Sequence, residues 1–418
     1  MRRAQRFLLA LMLGALASLL GAPATTNAGT PIGDQFLIRD EPAPVSVSDP
    51  AVAYNSHNQE YLAVVWNDRP GNDDIRAERV SKDGKLLGGF WVATGVGTER
   101  RYPDVAYHSQ AHEYLVIWEE DGHDIIGQRV QLASVGLPID IVLGSTGSRN
   151  VEPAIGYAST ENKYLVVYAY SDASGGSIKA IALNSDGTAW GSAFDIEPYS
   201  TIPKDPPKLV YNHLRNEFLV VWAQYQGSYS EIRARRVGMA GAAGTLGDAF
   251  WITSLLDSTS DSSPDVATLP RALDGQYLVV WERETSPTDI DIYGQLVSGV
   301  GTIEGFPLLL ATTTQSEFKP AVAGNESNQQ YLALWVCRVW WLPSTPYGIF
   351  GRTIATNGDL LGGGDWLAGT SANHPAVAAG SVGDFLLTFE ETGGDGYLNV
   401  WGRLWGNRLY LPLILKSP

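Results

Sequence analysis

The chain is poor in cysteine and in positive charge. Cys337 is the only cysteine among 418 residues, so no intramolecular disulfide can form and packing alone must hold the fold together. A lipoprotein anchor is excluded as well, because no cysteine lies near the N-terminus. Lysine and arginine number 29 against 45 aspartates and glutamates, a formal net charge of −16. This balance argues against nucleic acid and anionic membrane surfaces as partners.

Residues and motifs that would indicate catalysis are also scarce. The six histidines show no metal-ligand spacing, and no Gly-x-Ser-x-Gly motif is present. Four of the histidines fall in short turns, where we expect surface positions: His57, His108, His112 and His213. The sequence therefore predicts no catalytic residue and favours binding over catalysis.

Long apolar runs are absent except at the start of the chain. Arg2, Arg3 and Arg6 precede the apolar segment 7–20, and two small-x-small sites follow it at 22–24 and 26–28. A run of about 14 residues is short for a membrane span, which needs ~20. We expect residues 1–28 to be a cleaved signal peptide. The mature chain would then lack a membrane span and be secreted or held at the cell surface.

Internal repetition is the strongest pattern that the sequence does contain. Seven times a proline opens a short apolar strand, at Pro50, Pro103, Pro153, Pro207, Pro264, Pro320 and Pro375. About 15 residues later an apolar run ends in an aromatic residue, at Trp66, Trp118, Tyr168, Trp222, Trp281, Trp335 and Phe389. Continuous apolar runs of this length are typical of strands buried on both faces.

A third strand in each repeat carries a small residue two positions after an aliphatic one. These residues are Ala77, Gly127, Ala180, Ala234, Gly294, Gly351 and Gly402. We expect a large ring, the closing aromatic of the preceding strand, to occupy the space beside them. A glycine-rich turn and a fourth strand complete the unit.

Four strands in about 50 residues, repeated seven times, predict an all-β fold. It is a seven-bladed β-propeller with four antiparallel strands per blade, and it occupies residues 29–405. The seventh repeat lacks its fourth strand, whereas a surplus copy lies at Phe36–Ile38. The N-terminal strand should therefore complete the last blade.

The repeat pattern Pro-x-Val-Ala-Tyr, Glu-Tyr-Leu-Val-Val-Trp and Asp-Ile-Tyr-Gly-Gln resembles one found in exported bacterial β-propeller proteins. The resemblance covers roughly residues 33–405 and implies the fold and an extracellular location, but no catalytic residues. The apolar tail, residues 406–418, is similar to a terminus shared by some bacterial secreted and surface proteins. It would serve as an export or attachment signal, or add a strand to the last blade.

The loops from strand two to strand three vary most in length, so we place any function on the face that they form. They are rich in acids: Asp68, Asp73, Asp74, Glu119, Glu120, Asp121, Asp124, Glu282, Glu284, Asp289, Asp291, Glu390, Glu391 and Asp395. These acids indicate either a ring of ligands for Ca²⁺ or a basic partner, or solvated turns of an acidic protein. Because no loop has an EF-hand pattern, no cofactor is predicted beyond this suggestion of Ca²⁺.

The sixth repeat has the longest of these loops, and it is aromatic where the others are polar. Trp340, Trp341 and Tyr347 are the candidate ligand-binding residues, since exposed aromatic rings suit sugar stacking or a protein hot spot. The alternative is that the rings pack against the propeller.

The sequence favours a non-catalytic extracellular binding or adhesion module that recognises a glycan or a protein on this face. One alternative is a secreted carbohydrate-active enzyme, a glycoside hydrolase or lyase, that uses paired carboxylates on the same face. A second alternative is a structural component of the cell surface. An acid pair at the central channel would favour the enzyme.

Overall fold

The computed structural model describes residues 28–131, 134–144, 147–240, 244–253, 259–270, 274–338 and 347–406. These residues form 28 strands and no helix, which confirms the predicted all-β class. The described part of the chain accordingly contains no helix that could span a membrane. The expected signal peptide and the tail beyond Gly406 lie outside the described residues.

The strands form seven antiparallel four-stranded sheets, one per blade. Blades 1 and 2 contain β2 (Ser46–Asn55), β3 (Glu60–Arg69), β4 (Asn72–Ser81), β5 (Leu86–Ala93), β6 (Arg100–His108), β7 (Glu113–Glu120), β8 (Asp124–Gln131) and β9 (Ser134–Val142). Blades 3 and 4 contain β10 (Ser148–Ala158), β11 (Lys163–Asp172), β12 (Gly175–Asn184), β13 (Phe194–Ser200), β14 (Lys208–Asn212), β15 (Glu217–Gln226), β16 (Tyr229–Gly238) and β17 (Thr245–Trp251). Blades 5 and 6 contain β18 (Asp261–Leu269), β19 (Gln276–Ser286), β20 (Asp289–Ser298), β21 (Ile303–Ala311), β22 (Glu317–Asn325), β23 (Gln330–Arg338), β24 (Tyr347–Ala355) and β25 (Leu360–Ala368). Blade 7 contains β26 (Ala372–Ala379), β27 (Asp384–Thr392), β28 (Leu398–Gly406) and β1 (Thr30–Arg39).

Blade 7 is completed by the first strand of the chain, as the sequence predicts. β1 pairs antiparallel with β28, so that Thr30 faces Gly406 and Phe36 faces Gly402. The two ends of the chain thus meet inside one blade, and the ring is closed.

The core lies between the blades. Seven clusters of buried apolar side chains each join two neighbouring blades, including blade 7 with blade 1. The second strand of each blade contributes side chains to the interfaces on both sides of the blade, because alternate side chains point to opposite faces of a strand. In β19, Tyr277 and Val279 face blade 4, whereas Leu278 and Val280 face blade 6. This arrangement explains the unbroken apolar runs of the sequence.

The small residues on the third strands have a different neighbour from the one expected. A Cβ atom at Gly294 would lie 3.1 Å from Leu310, and one at Gly127 would lie 2.6 Å from Ile141. Both neighbours are aliphatic residues near the end of the fourth strand, not closing aromatics. The expected ring is therefore wrong, and the close approach comes from the outer strand.

Candidate functional site

The residue before the repeat proline is distorted in six of the seven blades. Each of these residues is non-glycine and has a positive φ, between 42° and 53°: Asp49, Tyr102, Glu152, Ser263, Lys319 and His374. A β-bulge interrupts the pairing of the first strand at each of these positions. Blade 4 is the exception, since β14 starts after two prolines and has no bulge. Bulges of this kind redirect side chains and are frequent beside active sites.

The redirected side chains meet at the central channel. A cavity of about 510 Å³ at its mouth is lined by five of them, Asp49, Tyr102, Glu152, Lys319 and His374. The first strands start here, directly after the connections between blades. This end of the ring is therefore also the end that carries the loops from strand two to strand three. The channel mouth lies on the face to which the sequence analysis assigned function.

One side of the mouth holds a hydrogen-bonded cluster from blades 1, 6 and 7. His374 Nδ1 lies 2.8 Å from Glu390 Oε1 and 3.6 Å from Asp49 Oδ1. The backbone N–H of Asp49 donates to the same Glu390 oxygen at 2.7 Å. The Lys319 ammonium donates to the other ring nitrogen, His374 Nε2. Because Lys can only donate, Nε2 accepts, and Nδ1 carries the proton that is given to Glu390.

Glu390 is one of three glutamates that lie near the ends of second strands and accept a backbone N–H from the next blade. In the same way, Glu282 accepts the backbone N–H of Lys319 at 2.6 Å, and Glu119 accepts that of Glu152 at 3.1 Å. Each glutamate therefore fixes the distorted residue of the next blade. Only Glu390 among these three also contacts a histidine.

The other side of the mouth carries Tyr102 with a carboxylate in each adjoining blade. Glu152 is exposed to the cavity and makes no side-chain hydrogen bond to another described residue. Desolvation of the carboxyl group inside the channel mouth raises the pKa of Glu152, the Lys208 charge opposes this change, and Glu119 and Asp49 add to it. Burial likewise raises the pKa of Asp49. Two carboxyl groups with raised pKa thus flank a tyrosine that is 37% exposed.

A second ring lies one step deeper, at the residues after the prolines. It contains two acids and one base, Asp104, Asp265 and Lys208. Asp104 accepts the backbone N–H of Ile155 in blade 3, and Asp265 accepts that of Val322 in blade 6, both at 2.8 Å. Burial raises the pKa of both acids, and the Lys208 charge opposes it. These two aspartates hold neighbouring blades together.

Many of the acids in the two-to-three loops are structural as well, rather than solvated. Asp74 is 1% exposed and accepts the backbone N–H of Gly95 at 3.3 Å. Asp124 accepts that of Gly144 at 2.7 Å, and Glu391 accepts that of Thr370 at 2.7 Å. Asp74 and Asp124 thus fix the connection that leads to the next blade, whereas Glu391 fixes the connection that leads into its own blade.

The aromatic residues predicted from the sequence fall mostly outside the described part of the chain. Trp340 and Trp341 belong to the residues that the structure does not describe. Tyr347 is the first residue of β24 and is 45% exposed, and its ring meets that of Phe318 edge-on at 5.2 Å. Of the turn histidines, His108 is buried, in contrast to the expectation, and stacks on Tyr157 at 4.4 Å.

The residue before each proline was the signal that the sequence reasoning missed. It is Asp, Tyr, Glu, Pro, Ser, Lys and His in the seven repeats, while the proline that follows it is constant and the residue two positions after that proline is always Val, Ile or Leu. A variable polar position inside an invariant frame is typical of a recognition or catalytic surface.

No protein-family model and no curated protein sequence matches the chain. Among solved structures, it is similar to a protein of unknown function from Dyadobacter fermentans, at 11% identity over 91% of this chain and 99% of that one, with a TM-score of 0.48. It is similar to the catalytic domain of a GH62 α-L-arabinofuranosidase from Coprinopsis cinerea, at 9% identity over 91% and 97%, with a TM-score of 0.41. It is also similar to an N-acetylgalactosamine deacetylase from F. plautii, at 12% identity over 91% and 95%, with a TM-score of 0.42.

These comparisons correct the main functional expectation of the sequence analysis. The similar structures are mostly glycoside hydrolases, with one deacetylase, which agrees with the carbohydrate-active enzyme given above as an alternative and not with the non-catalytic binding or adhesion module. At TM-scores of 0.38 to 0.48 the likeness itself shows the fold alone. At identities of 8 to 15% no residue role is carried over from them. The choice of residues depends on the channel itself, where Asp49 and Glu152 both line the cavity. The described chain is a seven-bladed β-propeller.

Proposed function

We propose that the protein is an extracellular glycoside hydrolase whose active site is the mouth of the channel. The observation that carries this proposal is the pair of carboxyl groups, Glu152 and Asp49, on either side of Tyr102 in an open cavity. Hydrolysis of a glycosidic bond needs one carboxylic acid to protonate the leaving oxygen and a second carboxylate to act on the other side of the sugar. Export is part of the proposal and is supported by the signal-peptide pattern at residues 1–28.

Glu152 is the proton donor in this proposal. Its raised pKa favours the protonated form closer to neutral pH, which a general acid requires. Its carboxyl group is also free of hydrogen bonds within the described chain, so it can turn toward a substrate oxygen. Asp49 is the second carboxylate, and its position is fixed by the bond from its backbone to Glu390. Tyr102 supplies an aromatic surface on which a sugar ring can stack.

The test is hydrolysis of a panel of aryl glycosides and neutral oligosaccharides by the wild type, Glu152→Gln and Asp49→Asn. Loss of a general acid lowers kcat by about 10²–10⁴-fold, so each variant should lose at least about 10²-fold while keeping the wild-type melting temperature. With wild type, kcat should fall as pH rises through the raised pKa of Glu152, and this decline should be absent in the residual activity of Glu152→Gln.

Ser263→Ala is the matched control. Ser263 occupies the same distorted position in blade 5 but does not line the cavity, so its variant should hydrolyse the substrate at the wild-type rate. Wild-type protein that is inactive on the whole panel, or a Glu152→Gln variant with full activity, would remove the basis of the proposal.

A further inference from the structure

The cluster at the channel mouth brings together three side chains that metal ions prefer. One oxygen of Asp49, one oxygen of Glu390 and a ring nitrogen of His374 all lie within 4.8 Å of one another. They come from three different elements of blades 1 and 7, and they are far apart in the sequence. We propose that Asp49, His374 and Glu390 bind one divalent transition-metal cation, Zn²⁺ or Mn²⁺.

The distances are close to those that a cation requires. Protein ligands lie about 2.0–2.2 Å from such an ion, so neighbouring ligand atoms in its shell are about 3.0–3.5 Å apart. His374 Nδ1 is 2.8 Å from the Glu390 oxygen and 3.6 Å from the Asp49 oxygen. Shifts of a few tenths of an ångström would therefore admit the ion. The side chain of Glu390 is 2% exposed and accepts the backbone N–H of Asp49, so the position of this ligand is already fixed without the ion.

The donor set selects the kind of ion. Ca²⁺ and Mg²⁺ prefer shells made of oxygen atoms, whereas an imidazole nitrogen with two carboxylates suits Zn²⁺ or Mn²⁺. The two carboxylates carry two negative charges, which match the charge of the ion. The cavity of about 510 Å³ lies beside the cluster and has room for water molecules at the remaining coordination positions.

Lys319 opposes the binding of the cation, because its ammonium keeps the His374 proton on Nδ1, the nitrogen that would bind the ion. Its ammonium lies at Nε2, on the far side of the ring from the two carboxylates, so it does not occupy the position of the ion. A neutral imidazole that binds a metal through Nδ1 must carry its proton on Nε2. The Lys319 ammonium then has to turn away from the ring, and removing its charge should strengthen the binding of the cation.

The inference goes beyond the proposed hydrolase function, because cation binding is measured without any substrate. With the ion in place Asp49 would hold it, and Glu152 would keep its role as proton donor. Fully active, metal-stripped protein together with stoichiometric cation binding would mean that the site exists but that hydrolysis does not use it. Cation binding by an inactive protein would leave the site intact and remove the proposed function.

The experiment is isothermal titration of untagged, chelator-treated protein with ZnCl₂ and, separately, MnCl₂ near neutral pH. We expect one ion per chain. Because His374→Gln, Asp49→Asn and Glu390→Gln each remove a ligand, each should weaken binding by at least the roughly 10–100-fold that loss of an outer-shell partner costs. Lys319→Gln should bind more tightly than the wild type. Glu282→Gln is the matched control for Glu390→Gln, because Glu282 has the same backbone role in blade 5, and it should bind like the wild type.

Two results would overturn the inference. One is the absence of heat and of any rise in melting temperature with either ion. The other is stoichiometric binding that survives unchanged in both His374→Gln and Asp49→Asn. Since Asp49 and His374 lie at the cavity surface, their variants should fold, and circular dichroism of each would verify this.

Discussion

Blades 5 and 6 contain the same buried position with different partners. Asp261 starts β18 and faces Arg283 across the strand pair, whereas Glu317 starts β22 and faces Cys337. Both acids are 0% exposed. Asp261 accepts bonds from Arg283 at 2.7 and 2.6 Å and from the indole of Trp281 at 2.9 Å. Glu317 accepts bonds from the side chains of Thr313 and Cys337, without a cation, and its second oxygen has no partner among the described residues.

The difference shows how a repeat fold tolerates a buried charge. In blade 2 the charges at this position are reversed. Arg100 takes the place of the acid and pairs with Glu120 at 2.9 Å. Blade 6 has lost the cation but kept the acid. Burial therefore raises the pKa of Glu317 to about 7, so that it is largely protonated in mildly acidic solution.

Arg283→Met should give the largest effect. It leaves Asp261 as an unpaired buried charge, which costs about 3–5 kcal/mol of unfolding free energy. Urea denaturation measures this loss. The double variant Asp261→Leu with Arg283→Met should recover most of the stability, and a double variant as unstable as the single one would show that packing rather than charge holds this seam.

Glu317→Gln should change the pH dependence of stability. The folded-state pKa of Glu317 is raised from its ordinary value of 4.5 to about 7, so the stability gained from its protonated form is complete below pH 4.5 and is lost as pH rises through 7. The wild type should lose on the order of 3 kcal/mol across this window, and Glu317→Gln should not. Unfolding curves at several pH values would test this. The exposed Glu326→Gln should behave like the wild type.

Trp281→Phe and Trp335→Phe compare the closing aromatics of the two blades. Each loses similar apolar area, but only Trp281 gives an indole N–H to the buried acid of its blade. Trp281→Phe should therefore be less stable than Trp335→Phe by about 1 kcal/mol. Equal losses in thermal denaturation would mean that this hydrogen bond contributes nothing.

Cys337 should show the smallest effect. Burial raises the pKa of its thiol to about 12, and the neighbouring Glu317 adds to this. Native protein should therefore react slowly with iodoacetamide at pH 8, and Glu317→Gln should react only slightly faster. Mass spectrometry of the adduct gives both rates, and rapid labelling of the native wild type would contradict the assigned burial.

The sequence predicted the features that every repeat must share. Packing places a proline, a closing aromatic residue and a glycine or alanine at corresponding positions of every blade. This repetition made it possible to predict the fold, the blade count and the closure by β1 from the sequence. The candidate site could not be predicted from the sequence, for the opposite reason. Asp49 and His374 differ from their counterparts in other blades, and Asp49 of blade 1 meets His374 and Glu390 of blade 7 only through ring closure, so no single spacing along the chain relates the three. The positive φ that aims them into the channel is likewise a property of the folded strand pair.

The joint between β1 and β28 gives the ring an unusual weak point. Every pair of neighbouring blades is tethered by a covalent connection. Within the described residues, the first strand is held to blade 7 by its ladder with β28 and by contacts such as that from Gln35 to Glu391, 356 residues apart. Closing so long a loop costs little more entropy than closing one of half the length, so pairing β1 with β28 adds little to the entropic cost of folding. A stretched or partly proteolysed molecule would thus separate inside a blade, shedding its first strand, before any two blades came apart.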